Sequence, residues 1–178
     1  YSVYLTNFIN IILQYDLLLA KAQFCMRYHL TKPILDPNKS SLDATGLFHP
    51  LISNPIPNNI KIDSHERGLL ISGPNTGGKT VLLKSIILCQ LLVRKGLFLP
   101  AKSVSIGIYD ALFYFGNDDQ NIKEGLSSFS SEVSNYLLLL DQKLDNNLVI
   151  IDEIFNTTFS IYDLFEFLFF ISSRRVCG

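Results

Sequence analysis

The sequence predicts an α/β fold, and three of its features support this prediction. Segments with β-type and helical patterns alternate along the chain, which is typical of helices layered on a sheet. A glycine-rich loop joins an apolar run at 68–72, predicted as a strand, to a predicted helix at 79–95. A second apolar run at 148–151 ends in two acidic residues. Gly96 and Pro100 follow the helix at 79–95 and predict where it ends.

The other predicted elements place a domain boundary near Thr45. A helical pattern covers 2–30, as one long helix or as two with a break near Gln14, and a proline-containing linker covers 32–43. We therefore expect a helical segment at 1–44 and an α/β domain at 45–178. Within the second domain, the patterns predict strands at 60–62, 104–106 and 111–115, a polar loop at 116–125, and helices at 127–144 and 162–173.

The composition narrows the class of protein. The chain has 178 residues, of which 48% are hydrophobic and 17% charged, so a disordered or collagen-like chain is excluded. The formal net charge is −1, which excludes a global basic field for nucleic-acid phosphates. Because of this balance of charge, any contact with DNA must be local or lie outside these residues. The three cysteines are widely spaced and form no Cys-x-x-Cys pair, which argues against a disulfide framework or a zinc site.

The widely spaced cysteines indicate a reducing compartment, so we expect an intracellular protein, in the cytoplasm or nucleus. No secretory signal is visible in these residues. We expect no membrane span in the apolar stretch 148–171, because four carboxylates interrupt it, each of them costly in a bilayer. The chain begins at Tyr1, without a methionine, and stops at Gly178 soon after an apolar run. We expect it to be a fragment, truncated at its carboxyl end.

The loop at 73–80 fits the pattern G-x-x-x-x-G-K-[ST], placed after a predicted strand and before a helix. In this pattern, glycines let successive backbone N–H groups point at phosphate oxygens, and the helix N-terminus adds partial positive charge. Lys79 would neutralise the β- and γ-phosphates, and the Thr80 hydroxyl would bind Mg²⁺. We predict that the loop binds ATP through Gly73, Pro74, Asn75, Thr76, Gly77, Gly78, Lys79 and Thr80. The alternative to an ATP-binding loop is a glycine-rich turn whose lysine is solvated and has no ligand.

Two further segments complete the predicted site. Asp152 follows the strand at 148–151 and would hold Mg²⁺ through water, while Glu153 would polarise the water that attacks the γ-phosphate. Ser127 opens a hydroxyl-rich helix start, where unpaired N–H donors favour an anion. The alternatives are a solvated acidic loop for the first segment and plain helix capping for the second.

Together these segments resemble the ATPase domain of the MutS family of DNA mismatch-repair proteins, which are ABC-type P-loop ATPases. Three stretches carry the resemblance besides the motifs above: Phe48-His49-Pro50-Leu51 resembles the family's R-H-P segment, 57–60 its V-P-N-D segment, and 96–101 its G-x-x-V-P-A turn. Residues 115–129 are similar to its G-x-x-D…S-T-F signature. The resemblance implies a P-loop domain with a mixed sheet at 45–178, preceded by the end of a helical lever.

The resemblance also implies roles and partners. Asn75 would approach the γ-phosphate, Asp152 and Glu153 would form the Walker B pair, and Ser127 would contact ATP bound to a second MutS-like subunit. Two subunits, as a homo- or heterodimer, would sandwich two ATP molecules. Double-stranded DNA would bind through regions outside this chain, where nucleotide state would set the state of a DNA clamp.

Departures from the family pattern leave alternatives open. Phe155 and Phe159 stand where the family usually has small, glycine-rich residues, and the chain stops before the family's next histidine. Pro55 stands where a base-stacking aromatic is often found. A non-catalytic, nucleotide-gated interaction module therefore remains an alternative. Asn75-Thr76 and the run Gly-Leu-Ser-Ser-Phe-Ser-Ser at 125–131 resemble a branch of the family without mismatch recognition, which acts on branched DNA or stalled ribosomes.

Overall fold

The structure is a computed structural model, and it describes residues 2–37, 41–63, 68–74, 77–116 and 146–152. Helices α1 (Ser2–Arg27) and α2 (Lys79–Arg94) accompany six strands, which are β1 (Ile34–Leu35), β2 (Leu42–Leu47), β3 (Asn58–Ile62), β4 (Ser103–Ile106), β5 (Ala111–Phe115) and β6 (Asn147–Ile151). The predicted α/β class is confirmed. The predicted elements at 116–125, 127–144 and 162–173 lie largely or wholly outside the described residues.

Strands β1 to β4 form one mixed sheet in the order β1-β4-β2-β3. β1 runs parallel to β4, whereas β2 runs antiparallel to both β3 and β4. The register between β2 and β3 shifts after Ala44, and Gly46 adopts a φ of 65° there. A left-handed residue at such a bulge favours glycine. The structure therefore contains a mixed sheet, as the resemblance implies.

Strands β1 and β2 begin before Thr45, where the boundary was predicted. Residues 32–43 were expected to be a linker, but Ile34–Leu35 pairs with β4 and Leu42 begins a central strand. The linker prediction is wrong in these stretches, because pairing with distant strands outweighs their proline-rich composition. The division into a helical segment and a P-loop domain remains a prediction.

The strand predicted at 68–72 is absent. Residues 68–74 are described without strand pairing, and the Leu69 and Leu70 side chains are 48% and 66% exposed. An apolar run forms a strand only where a neighbour supplies its ladder of hydrogen bonds. Among the described residues, β5 and β6 pair with each other in parallel, and nothing pairs with 68–72.

Helix α2 links the two sheets through the hydrophobic core. Its buried residues recur at helical spacing along one face, which predicts packing against a layer of strands. The core combines this face with the mixed sheet and with Ile150 of β6. The helix ends as predicted, since Gly96 follows with a φ of 67°. The element that carries the candidate site is thus anchored in the core.

Helix α1 is continuous, without the break near Gln14 that was one alternative. It contacts the rest of the fold at its carboxyl end, where Cys25 is buried, Phe24 packs against the core, and the Lys21 Nζ atom lies 2.6 Å from the backbone oxygen of Lys95. Val3–Arg27 is long and apolar enough to cross a bilayer, by length and composition only. Because helices of soluble proteins pass the same criterion, this is weak evidence for a membrane span.

Candidate functional site

The loop before α2 is shaped by its glycines. The Gly77 N–H donates a hydrogen bond of 2.8 Å to the Pro74 carbonyl oxygen, which closes a tight turn. A Cβ atom on Gly77 would lie 2.9 Å from that same oxygen, so the turn leaves no room for a side chain. Gly78 is the N-cap of α2 and has a φ of 77°, in the left-handed region that glycine tolerates.

The N-terminus of α2 has the chemistry of an anion site. Its N-cap residue provides no side-chain hydrogen bond, and its first turn contains no acidic residue. The first N–H groups of any helix lack partners within the helix and carry partial positive charge. Thr80 lies in this first turn and is exposed. The helix start therefore offers donors and a hydroxyl to a ligand.

Lys79 is folded back over the loop. Its Nζ atom donates hydrogen bonds to the carbonyl oxygens of Gly73, at 2.5 Å, and of Pro74, at 3.0 Å. These two bonds hold the ammonium group against the loop that precedes the helix. A positive charge is thus already positioned beside the turn formed by Pro74 and Gly77.

The end of β6 carries Asp152, which is 9% exposed. Its backbone N–H donates to the Phe115 carbonyl oxygen at 2.8 Å, so the pairing with β5 continues past Ile151. The Tyr114 hydroxyl donates to the carboxylate oxygen Oδ2 at 3.3 Å. A nearly buried carboxylate is therefore held at the carboxyl end of a parallel pair of strands.

Polar contacts connect α2 to the segment that begins β5. Gln90 is 1% exposed, and its Nε2 atom donates to the Gly107 carbonyl oxygen at 2.8 Å. Its Oε1 atom accepts from the Tyr109 N–H at 3.4 Å, and the Arg94 guanidinium donates to the Tyr109 carbonyl oxygen. The last turns of α2 are thus fixed to residues 107–109.

The start of β6 is attached to the same segment. The Asn146 side-chain amide donates to the Ile108 carbonyl oxygen at 3.1 Å, and the Asp110 N–H donates to the Asn146 carbonyl oxygen at 2.8 Å. The carboxyl end of α2 therefore meets the starts of β5 and β6 at one place. Residues 107–110 form the common anchor.

Seven predicted site residues are described by the structure. Six belong to the loop and the first turn of α2, and the seventh follows β6: Gly73, Pro74, Gly77, Gly78, Lys79, Thr80 and Asp152. The remaining four, Asn75, Thr76, Ser127 and Glu153, lie outside the described residues. Among the described loop residues, Gly77 is hydrogen-bonded to Pro74 and Lys79 to Gly73 and Pro74. Their role in binding stays a prediction.

Tyr114, Gly116 and Gln90 are not among the residues predicted from the sequence. Gln90 could have been found from the sequence, because it is a polar residue on the apolar face of a predicted helix. A polar side chain that is buried needs hydrogen-bond partners. Nothing local marked Tyr114, because its contact with Asp152 depends on how two distant strands align.

Two of the described site residues carry oxygen atoms of the kind that Mg²⁺ prefers. Thr80 offers a hydroxyl oxygen and Asp152 a carboxylate, both hard oxygen donors of the type that Mg²⁺ prefers. Within the described part of the chain, no group of three or more His, Cys, Asp or Glu residues could hold a metal.

Comparison with known proteins gives matches to one family. The family model for MutS domain V matches residues 69–166, more than half of the chain. "Endonuclease MutS2" of Clostridium botulinum (strain Langeland) is 37% identical over 148 residues, which cover 82% of this chain and 19% of that protein. "Endonuclease MutS2" of Lactobacillus acidophilus is 37% identical over 154 residues, covering 84% of this chain and 19% of that protein. The chain spans about a fifth of these relatives, and it belongs to the MutS family.

Proposed function

We propose that this chain is the ATP-binding and ATP-hydrolysing module of a MutS-like protein. In this proposal the loop at 73–80 binds the triphosphate of ATP, with Mg²⁺ held by Thr80 and, through water, by Asp152. The observation that carries the proposal is the loop itself, where a glycine turn, an uncapped helix start and the Lys79 ammonium converge. These are the features by which a helix N-terminus binds phosphate.

The anchor at 107–110 supports a site shared between the loop and Asp152. From that anchor, α2 extends back about 16 Å to Lys79, at 1.5 Å per residue from Gln90. Strand β6 covers about 16 Å between Asn147 and Asp152. Since Ile86 of α2 and Ile150 of β6 belong to one core, we infer that helix and strand run side by side in opposite directions. The start of α2 at Lys79 and the end of β6 at Asp152 would then lie on the same side of the fold.

In this proposed mechanism, each group has one task. The loop amides and Lys79 neutralise the phosphate charge, and Asn75 approaches the γ-phosphate. Mg²⁺, held by Thr80 and through water by Asp152, would supply further neutralisation of the phosphate charge when bound. Glu153 accepts a proton from the attacking water. Ser127 contacts ATP bound to a second subunit, so that loss of the γ-phosphate weakens the dimer and changes the clamp on DNA.

Binding is tested by Lys79→Ala in the full-length protein. We expect this variant to lose ATP binding in a filter assay, because it removes the ammonium group that is hydrogen-bonded to the loop. Lys95→Ala is the matched control, since it removes an exposed lysine just beyond the opposite end of α2. Equal ATP affinity of Lys79→Ala and Lys95→Ala would contradict the proposal.

A non-catalytic, nucleotide-gated module is the alternative that the bulky Phe155 and Phe159 leave open. Turnover of ATP by the wild type and by Glu153→Gln separates the two proposals. A wild-type rate that falls in Glu153→Gln supports hydrolysis, whereas equal and negligible rates support the gated module.

The DNA substrate is a separate question. The relatives reported above are named MutS2, which favours the branch that acts on branched DNA or stalled ribosomes over mismatch repair. Binding of the full-length protein to a mismatched duplex and to a four-way junction, at one salt concentration, distinguishes these substrates. We propose an intracellular location for either function.

A further inference from the structure

Tyr114 and Asp152 lie on the same face of the β5–β6 pair because of its register. Tyr114 is opposite Ile150, and Asp152 follows Ile150 by two residues. Side chains two residues apart in a strand point to the same face, and diagonal neighbours lie within reach of an aromatic side chain. The 3.3 Å contact between the Tyr114 hydroxyl and the Asp152 Oδ2 atom follows from this alignment.

Gly116 leaves the space that the Tyr114 phenol occupies. A Cβ atom built on Gly116 would lie 2.7 Å from Cε1, 2.8 Å from the hydroxyl oxygen and 2.9 Å from Cζ of Tyr114. Any larger residue at 116 would have to push the phenol aside. The contact with Asp152 therefore depends on both Tyr114 and Gly116.

The Tyr114 hydroxyl restricts the rotation of the Asp152 carboxylate. The terminal torsion of an aspartate is broad, so an unrestrained carboxylate samples many orientations. A donor on Oδ2 selects one orientation and leaves Oδ1 outside this contact. Partners of this kind fix metal-binding carboxylates in many proteins.

We propose that Tyr114 is a positioning residue, which orients the Asp152 carboxylate toward the Mg²⁺ that accompanies ATP. This inference rests on the proposed function, because it requires Mg-ATP to bind between the loop and the end of β6. Tyr114 itself touches neither ion nor nucleotide in the proposal. Its effect is on the affinity for the metal.

Tyr114→Phe in the full-length protein tests the proposal, because it removes the hydroxyl and retains the ring. The readout is the Mg²⁺ concentration that half-saturates the gain in ATP affinity, together with Mn²⁺ binding to the ATP complex by electron paramagnetic resonance. We expect the half-saturating Mg²⁺ concentration to rise about tenfold, the low end of the range for such partners, since the contact is long. ATP affinity in EDTA should not change.

Tyr28→Phe is the matched control, because it removes a tyrosine hydroxyl beyond the carboxyl end of α1, and we expect no shift in Mg²⁺ dependence. Gly116→Ala should raise the Mg²⁺ requirement like Tyr114→Phe, since it displaces the phenol. The double variant should require little more Mg²⁺ than Tyr114→Phe alone, because both changes break one contact.

Two results would overturn the positioning role: a Tyr114→Phe half-saturation within about twofold of the wild type, or full additivity with Gly116→Ala. Protection of the Cys89 thiol from labelling confirms that each variant is folded. Failure of the proposed function differs from both results. In that case the wild type binds no ATP at any Mg²⁺ concentration, and both proposals are overturned.

Discussion

Replacing Gln90 by methionine should loosen the anchor between α2 and residues 107–109. Gln90 is 1% exposed and supplies both the donor to the Gly107 oxygen and the acceptor for the Tyr109 N–H. Methionine preserves most of the side-chain volume but can replace neither bond. The change therefore isolates the polar contribution of this position.

The expected loss of stability is about 2 kcal/mol. A buried carbonyl left without a partner costs about 1 to 3 kcal/mol, and the 2.8 Å bond to Gly107 is the better formed of the two. The 3.4 Å contact with Tyr109 contributes less. Since about 1.4 kcal/mol corresponds to a factor of ten, a loss of about 2 kcal/mol makes the population with an open helix α2 about thirtyfold larger than in the wild type.

The neighbouring Cys89 thiol provides the assay. It is fully buried, and burial raises its pKa to about 12, so labelling requires the helix to open. Its rate of alkylation in the full-length protein, followed by peptide mass spectrometry, reports the free energy of opening. Gln23→Met on the exposed face of α1 is the control. A Gln90→Met labelling rate within about threefold of the Gln23→Met rate would refute the reasoning.

Three further changes follow from the structure. Gly77→Ala should lower ATP affinity at least about tenfold in a filter assay, because its Cβ would lie 2.9 Å from a backbone oxygen. A Cβ on Gly78 meets no atom within 4 Å, so Gly78→Ala should lower ATP affinity less, through the φ of 77° alone. A larger loss of affinity in Gly78→Ala than in Gly77→Ala would contradict this account. Burial raises the pKa of Cys89 from 9.0 to about 12 in the folded state, so its contribution to stability is complete below pH 9 and is lost as the pH rises toward 12. The thermal midpoint should therefore fall more steeply above pH 9 in the wild type than in Cys89→Ala. Equal slopes in the two proteins would contradict this prediction. Lys21→Ala removes the 2.6 Å contact with the Lys95 oxygen and should speed hydrogen exchange in the last turn of α2. The free energy of opening of this turn should fall by about 0.3 to 1 kcal/mol. Unchanged exchange would show that the contact contributes nothing to stability.

Local patterns predicted the elements that depend on local chemistry. Helix α2 follows from helical spacing and from Gly96 at its end, and β5 and β6 follow from short apolar runs. The loop at 73–80 was predicted from the spacing of its glycines, Lys79 and Thr80, and the turn closed by the Gly77 N–H is local as well. Its role in binding phosphate stays a prediction. These features need no knowledge of distant contacts.

Pairing over long distances could not be predicted. Strand β1 has two residues and exists only through β4, about 70 positions later, while the apolar run at 68–72 has no described partner. Tyr114 and Asp152 are 38 positions apart and meet because of register. A one-residue slip of β6 would place Asp152 on the other face.

Titration calorimetry of ATP into the full-length protein, with Mg²⁺ present, tests most directly whether the loop is a triphosphate site. The account predicts heat that saturates at one ATP per chain in the wild type and is lost in Lys79→Ala. Wild-type protein that is folded, with Cys89 protected, and gives no binding heat would contradict it.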